Sequence, residues 1–236
     1  MLFILGALLA FGFNGLAVMA DLNGGGFWGE FGDAASFDRA QPISVDLTRI
    51  QCPILLAPGE VGTIHATIWN PNQDEAEALV KVVVSEGDLN HYRALSDSLT
   101  IAARSRQDFR WQITRQDIVE ENFIFTRIFL IYLDMPARTE SCGVLVLDLF
   151  GLPGAALVVL ALVTSFVFLL VGNVLLYRRN LPYLESSPSI ENGRIGLSAI
   201  LLAGMIANLL GWWVFAGLLL VLALLLIISI IPGTIN

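Results

Sequence analysis

The side chains that most often ligate metals or act as nucleophiles are scarce in this chain, which has two histidines and two cysteines. His65 and His91 lie far apart in the sequence, and no ligand pattern accompanies either of them. A zinc site needs three or four ligands within reach of one ion. We therefore interpret both histidines as ordinary strand or loop residues and predict no metal site.

Carboxylates are more abundant, but their arrangement is typical of a solvated surface. They occur in short runs such as Asp74, Glu75 and Glu77, and like-charged runs of this kind usually face water. Residues 21–24, Asp-Leu-Asn-Gly, could begin a calcium-binding loop, but the later ligands of an EF-hand do not follow. The nucleophile elbow and the phosphate-binding loop are also missing from the sequence. We predict no catalytic residue, no cofactor and no enzymatic activity.

The overall composition sets the class of protein. Apolar residues make up 56% of the 236 residues and charged residues only 14%, with a formal net charge of −8. Soluble domains average about 45–50% apolar and about 25% charged residues. An acidic chain also lacks the basic face that nucleic-acid binding requires. These values argue against a soluble enzyme, a disordered protein and a nucleic-acid binder.

The charges are distributed very unevenly along the chain. Residues 2–20, 152–177 and 195–231 contain no Asp, Glu, Lys, Arg or His, whereas residues 21–150 have the charge density of an ordinary soluble domain. Uncharged apolar runs of this length are typical of membrane-spanning helices. The sequence therefore predicts a water-soluble domain of about 130 residues that is tied into a lipid bilayer.

The first apolar run, residues 2–20, has the length of one membrane span. A helix over these residues would be roughly 28 Å long, close to the hydrocarbon thickness of a bilayer. A cleaved signal peptide is an alternative, because Val18-Met19-Ala20 resembles a cleavage site. The first residues lack the basic charge of a signal peptide, so we favour an uncleaved N-terminal anchor.

The C-terminal part predicts three further spans, at 153–177, 195–210 and 213–231. One helix over 195–231 would reach roughly 55 Å, which exceeds the bilayer. We place a break near Gly211, because glycine weakens helices and the adjacent tryptophans favour the membrane–water interface. A single kinked helix remains the alternative. With the break, the fold has about four transmembrane α-helices.

The arginines outside the central domain indicate the orientation in the membrane. Arg178, Arg179 and Arg194 all lie in loop 178–194, between the second and third spans. Short loops that are rich in arginine face the cytoplasm. We therefore predict a multi-pass protein of a bacterial inner membrane, with loop 178–194 cytoplasmic and the central domain extracytoplasmic.

The predicted spans are suited to anchoring and packing. They contain no ionisable group of the kind that proton and ion pathways use, and no histidine that could ligate a haem. Their polar side chains are Asn, Ser and Thr, which can hydrogen-bond between helices. Small residues recur every four positions in the third span, where they would pack against this protein's own helices or against another subunit: Ala199, Ala203, Ala207 and Gly211.

Residues 21–42 form a linker that is rich in glycine and aromatic residues. Such a segment is flexible unless something holds it. Candidates are the lipid surface, a partner subunit or the protein's own domain. We favour a partner or membrane-surface contact through four aromatic side chains: Phe27, Trp28, Phe31 and Phe37.

Residues 43–149 show the pattern of a β-structure. In residues 64–69 the apolar Ile64, Ala66 and Ile68 alternate with His65, Thr67 and Trp69, and similar runs follow with turn signals between them. Several short strands spaced in this way predict an all-β sandwich.

Two segments of this region resemble a known family. PGEVGTIHATIWNPN (58–72) and FRWQI (109–113) are similar to Ig-like sandwich domains of the CARDB or adhesion type. The resemblance covers roughly residues 43–149 and implies a binding or spacer module without a chemistry of its own.

The two cysteines fall in the first and last strands of the predicted sandwich, which can lie side by side in an Ig-like domain. In an oxidising compartment, Cys52 and Cys142 would then form a disulfide. Two buried thiols are the alternative, and metal ligation is a third and weaker one, since two cysteines make an incomplete site.

These features together indicate a non-catalytic accessory subunit of a larger membrane complex. A respiratory or photosynthetic assembly is one host that we consider. Its partners would be other membrane subunits of a hetero-oligomer and the lipid bilayer, with no nucleic acid. A free-standing, membrane-anchored adhesion or ligand-binding module is the alternative.

Overall fold

The structure is a computed structural model that describes residues 1–29, 45–132, 135–149, 151–180 and 188–235. The chain divides into two compact units. The helical unit comprises Met1–Val18 and Ala156–Asn236, and the β-unit comprises Met19–Ala155.

The β-unit contains eight strands among the described residues, arranged in two sheets. One sheet has the order β1-β3-β6 and the other has the order β2-β8-β7-β4-β5. All the strand pairs are antiparallel except β2 with β8. The strands are β1 (Asp46–Gln51), β2 (Leu55–Leu56), β3 (Gly62–Trp69), β4 (Ala76–Glu86), β5 (Asp88–Ile101), β6 (Arg106–Ile113), β7 (Phe123–Tyr132) and β8 (Met135–Val146).

The two sheets share one hydrophobic core. Along β3 the buried side chains are Ile64, Ala66 and Ile68, as the alternation in the sequence predicts, and along β4 they include Val80 and Val82. Side chains from both sheets belong to the same buried cluster. Burial of apolar surface at about 25 cal/mol per Å² is therefore the main force that holds the sheets together.

A disulfide between Cys52 and Cys142 joins the two sheets. Cys52 follows directly after β1 of the three-stranded sheet, and Cys142 lies in β8 of the five-stranded sheet, with 6.5 Å between their Cα atoms. The chain changes sheets at this point, because β2 pairs with β8 three residues later. The predicted disulfide is confirmed.

Four long helices accompany the sheets: α1 (Leu2–Phe27), α2 (Gly154–Asn180), α3 (Pro188–Leu209) and α4 (Trp213–Ile235). Within the described residues, three helical stretches are long and apolar enough to cross a membrane: Leu2–Phe27, Gly154–Arg178 and Asn192–Leu209. The apolar stretch of α4, Trp213–Ile228, is shorter.

Two helices extend beyond the limits expected from the sequence. α1 continues to Phe27 rather than ending at residue 20, so the first seven residues of the predicted linker are helical. α2 reaches Asn180 and α3 begins at Pro188, so helix replaces both ends of the predicted loop 178–194. An uncharged run marks only the most apolar part of each helix, and polar or small residues continue these helices beyond it.

The chain turns between α3 and α4 at the position where the sequence suggested a break. Gly211 has a φ of +74°, its N–H donates to the Asn208 carbonyl (3.0 Å), and the Trp212 N–H donates to the Ala207 carbonyl (2.9 Å). This pair of hydrogen bonds is the Schellman motif, which favours glycine at the left-handed position. Helix α4 then starts at Trp213.

Candidate interaction surfaces

Buried asparagines join helices of the helical unit. Asn14 of α1 donates from Nδ2 to the Leu201 carbonyl of α3 (3.0 Å) and accepts from Nδ2 of Asn208 (2.9 Å). Both asparagines are buried, and Gly204 leaves room for the Asn14 amide. Two of the polar residues that the sequence suggested as interhelical contacts, Asn14 and Asn208, therefore hydrogen-bond to each other.

We expect the Asn14–Asn208 pair to contribute a measurable coupling energy to the stability of the helical unit. Interhelical hydrogen bonds in membrane proteins average about 0.6 kcal/mol and reach about 1.7 kcal/mol in double-mutant cycles. The test is a cycle of Asn14→Leu, Asn208→Leu and the double variant, with unfolding in mixed micelles as the measurement. A coupling energy of zero would contradict the contact.

A second polar network links α2 and α3 near their charged ends. Asn173 donates from Nδ2 to the Ser198 hydroxyl (2.9 Å) and to the Leu169 carbonyl (2.8 Å). Its Oδ1 accepts from Nε of Arg194 (2.8 Å), and the Ser198 hydroxyl donates to the Arg194 carbonyl (3.0 Å). The arginine that the sequence assigned to a loop is thus held on helix α3.

The four-residue repeat of small side chains in α3 does not lie on one surface. Ala199 and Ala203 are exposed, whereas Ala207 is buried and Gly211 belongs to the turn. A step of four residues overshoots a helical turn by about 40°, so such a stripe rotates around the helix as it proceeds. The two exposed alanines lie between two exposed isoleucines, Ile195 and Ile206.

In the β-unit, the end of α1 lies directly on the backbone of strand β8. A Cβ atom at Gly143 would overlap the Ala20 carbonyl group, and one at Gly24 would lie 3.1 Å from the backbone of Cys142 and Gly143. The Gly143 N–H donates to Oδ1 of Asp21 (3.1 Å). Two glycines therefore allow the helix and the strand to touch without intervening side chains.

The aromatic residues at the end of α1 continue this contact across the five-stranded sheet. The ring centroids of Phe27 and Phe125 are 4.9 Å apart, and those of Trp28 and Tyr92 of β5 are 6.1 Å apart. Nη1 of Arg127 donates to the Trp28 carbonyl (3.0 Å).

The structure thus places Phe27 and Trp28 against the chain's own β-unit, which is one of the three contacts that the sequence left open. A partner or lipid contact of the same residues stays a prediction. Phe31 and Phe37 lie outside the described residues.

An ion pair between Arg93 and the buried carboxylate of Asp117 ties edge strand β5 to the segment that follows β6. Arg93 donates from Nε to Oδ1 of Asp117 (2.6 Å) and from Nη2 to Oδ2 (3.0 Å), and the Asp117 side chain is fully buried. The Thr114 N–H also donates to Asp117 (2.6 Å). The hydrogen bond with Asp117 raises the pKa of the Arg93 guanidinium. These charges satisfy each other within the fold, which indicates a structural role.

The groups that could do chemistry do not converge in the described part of the chain. No group of three or more His, Cys, Asp or Glu side chains there could hold a metal ion. His65 lies in β3 opposite Arg110, and His91 is exposed on β5. A depression of about 160 Å³ beside Glu60 and Thr114 is smaller than the pockets that usually take small-molecule ligands.

No protein-family model matches this chain, and no curated protein matches it. Among solved structures, it is similar to the CARDB domain of a Pyrococcus furiosus protein at 11% identity, over 45% of this chain and 97% of that one, with a TM-score of 0.35. This agrees with the resemblance noted in the sequence.

Two enzymes are also among the similar structures. A Paenibacillus cycloisomaltooligosaccharide glucanotransferase shows 15% identity and a TM-score of 0.36, over 45% of this chain and 15% of that one. A red sea bream transglutaminase shows 14% identity and a TM-score of 0.36, over 44% of this chain and 16% of that one. The chain thus spans only a small part of either enzyme.

Proposed function

We propose that this chain is a non-catalytic accessory subunit of a larger membrane complex. Its helices would pack against helices of partner subunits, and its β-unit would be an Ig-like sandwich that docks a partner on the extracytoplasmic side. The host that we consider is an energy-converting assembly of the respiratory or photosynthetic kind, in which this chain would bind no cofactor of its own.

The observation that carries the proposal is the outward position of two small residues of α3, Ala199 and Ala203. Its large side chains Leu197, Leu201 and Met205 are buried within the helical unit, whereas Ala199 and Ala203 are exposed. Lipid tails are as apolar as leucine, so an exposed alanine face gains nothing from lipid but allows another helix to approach closely. The face between Ile195 and Ile206 suits a helix from another chain.

The strand order supports an Ig-like assignment of the β-unit. β1, β3 and β6 form one sheet, and β8, β7 and β4 are consecutive neighbours in the other. Ig-type sandwiches divide their strands between two sheets in this manner, with non-sequential strands as neighbours. Such domains serve as rigid docking or spacer modules. This fits the described residues, which contain no cluster of side chains that could hold a metal ion.

Two independent features support the proposed orientation. Disulfides form and persist in oxidising compartments, and the Cys52–Cys142 bridge lies in the β-unit. Arginines mark the cytoplasmic ends of membrane helices, and Arg178 and Arg194 lie at the ends of α2 and α3 that the chain joins through residues 181–187. Both features support an extracytoplasmic position of the β-unit.

Enlarging an exposed alanine of α3 is expected to release the chain from its complex. The full-length protein should co-purify with other membrane proteins in mild detergent from the organism that encodes it. Ala203→Trp should abolish this co-purification, because a bulky ring would hold the two helices apart. The measurement is the set of proteins that migrates with a tagged chain in native electrophoresis.

A matched control is Leu218→Trp on α4, which exchanges one large exposed side chain for another and should leave the complex intact. Purification of the wild-type chain as a lone monomer from its own membranes would overturn the proposal. A monomer whose β-unit captures an isolated ligand would favour the adhesion or ligand-binding module instead.

A further inference from the structure

We propose that Arg194, held in place by Asn173, binds the phosphate of an anionic phospholipid at the membrane surface. The inference rests on these helices lying in a bilayer, but not on the chain being a subunit of a complex. It assigns a ligand to a polar network that the proposed function does not use.

The network fixes the guanidinium of Arg194 through its Nε, and the described residues form no hydrogen bond with its two terminal nitrogens. Asn173 uses all of its amide groups, because Oδ1 accepts from Nε of Arg194 and Nδ2 donates to Ser198 and Leu169. A guanidinium has five N–H donors in a planar fork, and Nε supplies only one of them. The remaining fork fits two oxygens of a phosphate group.

The position of Arg194 favours an anionic ligand. It lies within Asn192–Leu209, a stretch apolar enough to cross a membrane, and its side chain is partly buried. Among the described residues no carboxylate forms an ion pair with it. A cation in an apolar setting is costly unless an opposite charge or water reaches it.

The neighbourhood favours a lipid over a free phosphate ion. Leu175, two residues after Asn173 on α2, is 52% exposed, and Ile195, which follows Arg194 on α3, is 53% exposed, so both helices present apolar side chains outward at this level. Tyr177 and Arg178, which are also exposed, mark the interface at the end of α2. A ligand that combines an oxyanion with acyl chains matches both the cation and its apolar surroundings.

The experiment compares the full chain in nanodiscs of phosphatidylcholine with nanodiscs that also contain phosphatidylglycerol. We expect phosphatidylglycerol to raise the temperature of unfolding, and native mass spectrometry to detect retained phosphatidylglycerol after release into detergent. Arg194→Gln should weaken this retention about five-fold, since a basic residue at the surface contributes about 1 kcal/mol. Asn173→Ala should also weaken it, because the charge remains but loses its orientation.

Matched controls separate this site from general charge attraction. Arg178→Gln removes an exposed arginine at the same end of the helices and should leave most of the retention intact. Glu191→Gln removes the nearest acidic residue in the sequence before Arg194 and should not create or abolish the effect. Inorganic phosphate added to phosphatidylcholine nanodiscs should not raise the unfolding temperature.

Three results would overturn the proposal. The first is a wild-type chain that retains no more phosphatidylglycerol than Arg194→Gln does. The second is an equal loss of retention in Arg178→Gln and Arg194→Gln, which would show diffuse charge attraction. The third is stabilisation by inorganic phosphate alone, which would indicate a soluble ligand.

Discussion

The double substitution Cys52→Ala and Cys142→Ala is expected to lower the free energy of unfolding of the β-unit by about 4–5 kcal/mol. The disulfide closes a loop with a sequence separation of 90 residues, and the entropy that a cross-link removes from the unfolded chain grows with loop length. The bridge also joins the end of β1 to β8, so its loss affects both sheets.

The measurement is denaturant unfolding of the full chain in detergent, followed by tryptophan fluorescence, with buried Trp111 of β6 as a reporter of the core. Reduction of the wild-type protein should produce a similar loss, whereas the same reductant should not change the double variant. A difference of less than about 1 kcal/mol between the oxidised protein and the double variant would contradict the entropic argument.

The features that the sequence predicted correctly depend on simple chemical signals. Alternation of apolar and polar residues marks β3 because one face of that strand is buried in the core and the other is not. The disulfide partner was unambiguous, because the chain has only two cysteines. Uncharged runs of sufficient length marked the positions of the long helices, because charge is excluded from their apolar surfaces.

Strand β5 could not be identified in this way. It lies at the edge of its sheet, where most of its side chains are exposed on both faces, including Ser96, Asp97 and Ser98. An edge strand that meets water on both faces has no hydrophobic period to detect. It pairs with β4 at eleven positions through backbone hydrogen bonds. Almost every residue type can form these bonds, so they leave no signal in the sequence.

The contacts within the candidate surfaces depend on tertiary structure, so the sequence pattern could not predict them. The glycines of residues 24–26 predict a flexible linker, yet they continue helix α1 because Gly24 lies against the backbone of β8. Likewise, only the packing of α3 shows that Ala203 is exposed while Ala207 is buried. The sequence of an apolar helix does not show which of its faces is buried, because the neighbouring helices determine that.

The contact between α1 and β8 leaves no room for a side chain at Gly143. In Gly143→Ala, the new methyl group would occupy the space of the Ala20 carbonyl, which belongs to a helix backbone and cannot rotate away. We expect the end of α1 to lift from the sheet, which would break the hydrogen bond to Asp21 and the ring contact between Phe27 and Phe125. Overpacking of this kind costs about 1–3 kcal/mol.

A graded series of glycine substitutions tests this explanation. Gly24→Ala should have a smaller effect than Gly143→Ala, because its Cβ would be 3.1 Å from the strand backbone and a small shift relieves it. Gly12→Ala in the same helix has open space and should be neutral or slightly stabilising, since alanine favours helix. Hydrogen exchange of residues 20–28 and the free energy of unfolding are the measurements.

The order of effects carries the argument, because all three substitutions add the same methyl group. If Gly143→Ala and Gly12→Ala exchange at the same rate over residues 20–28, the end of α1 does not rest on β8. If exchange there accelerates most in Gly143→Ala, less in Gly24→Ala and not in Gly12→Ala, the close approach of two backbones holds the end of α1 on the sheet. Phe27 and Trp28 then owe their positions to this glycine contact, and a partner could reach them only at the part of their surface that the β-unit leaves uncovered.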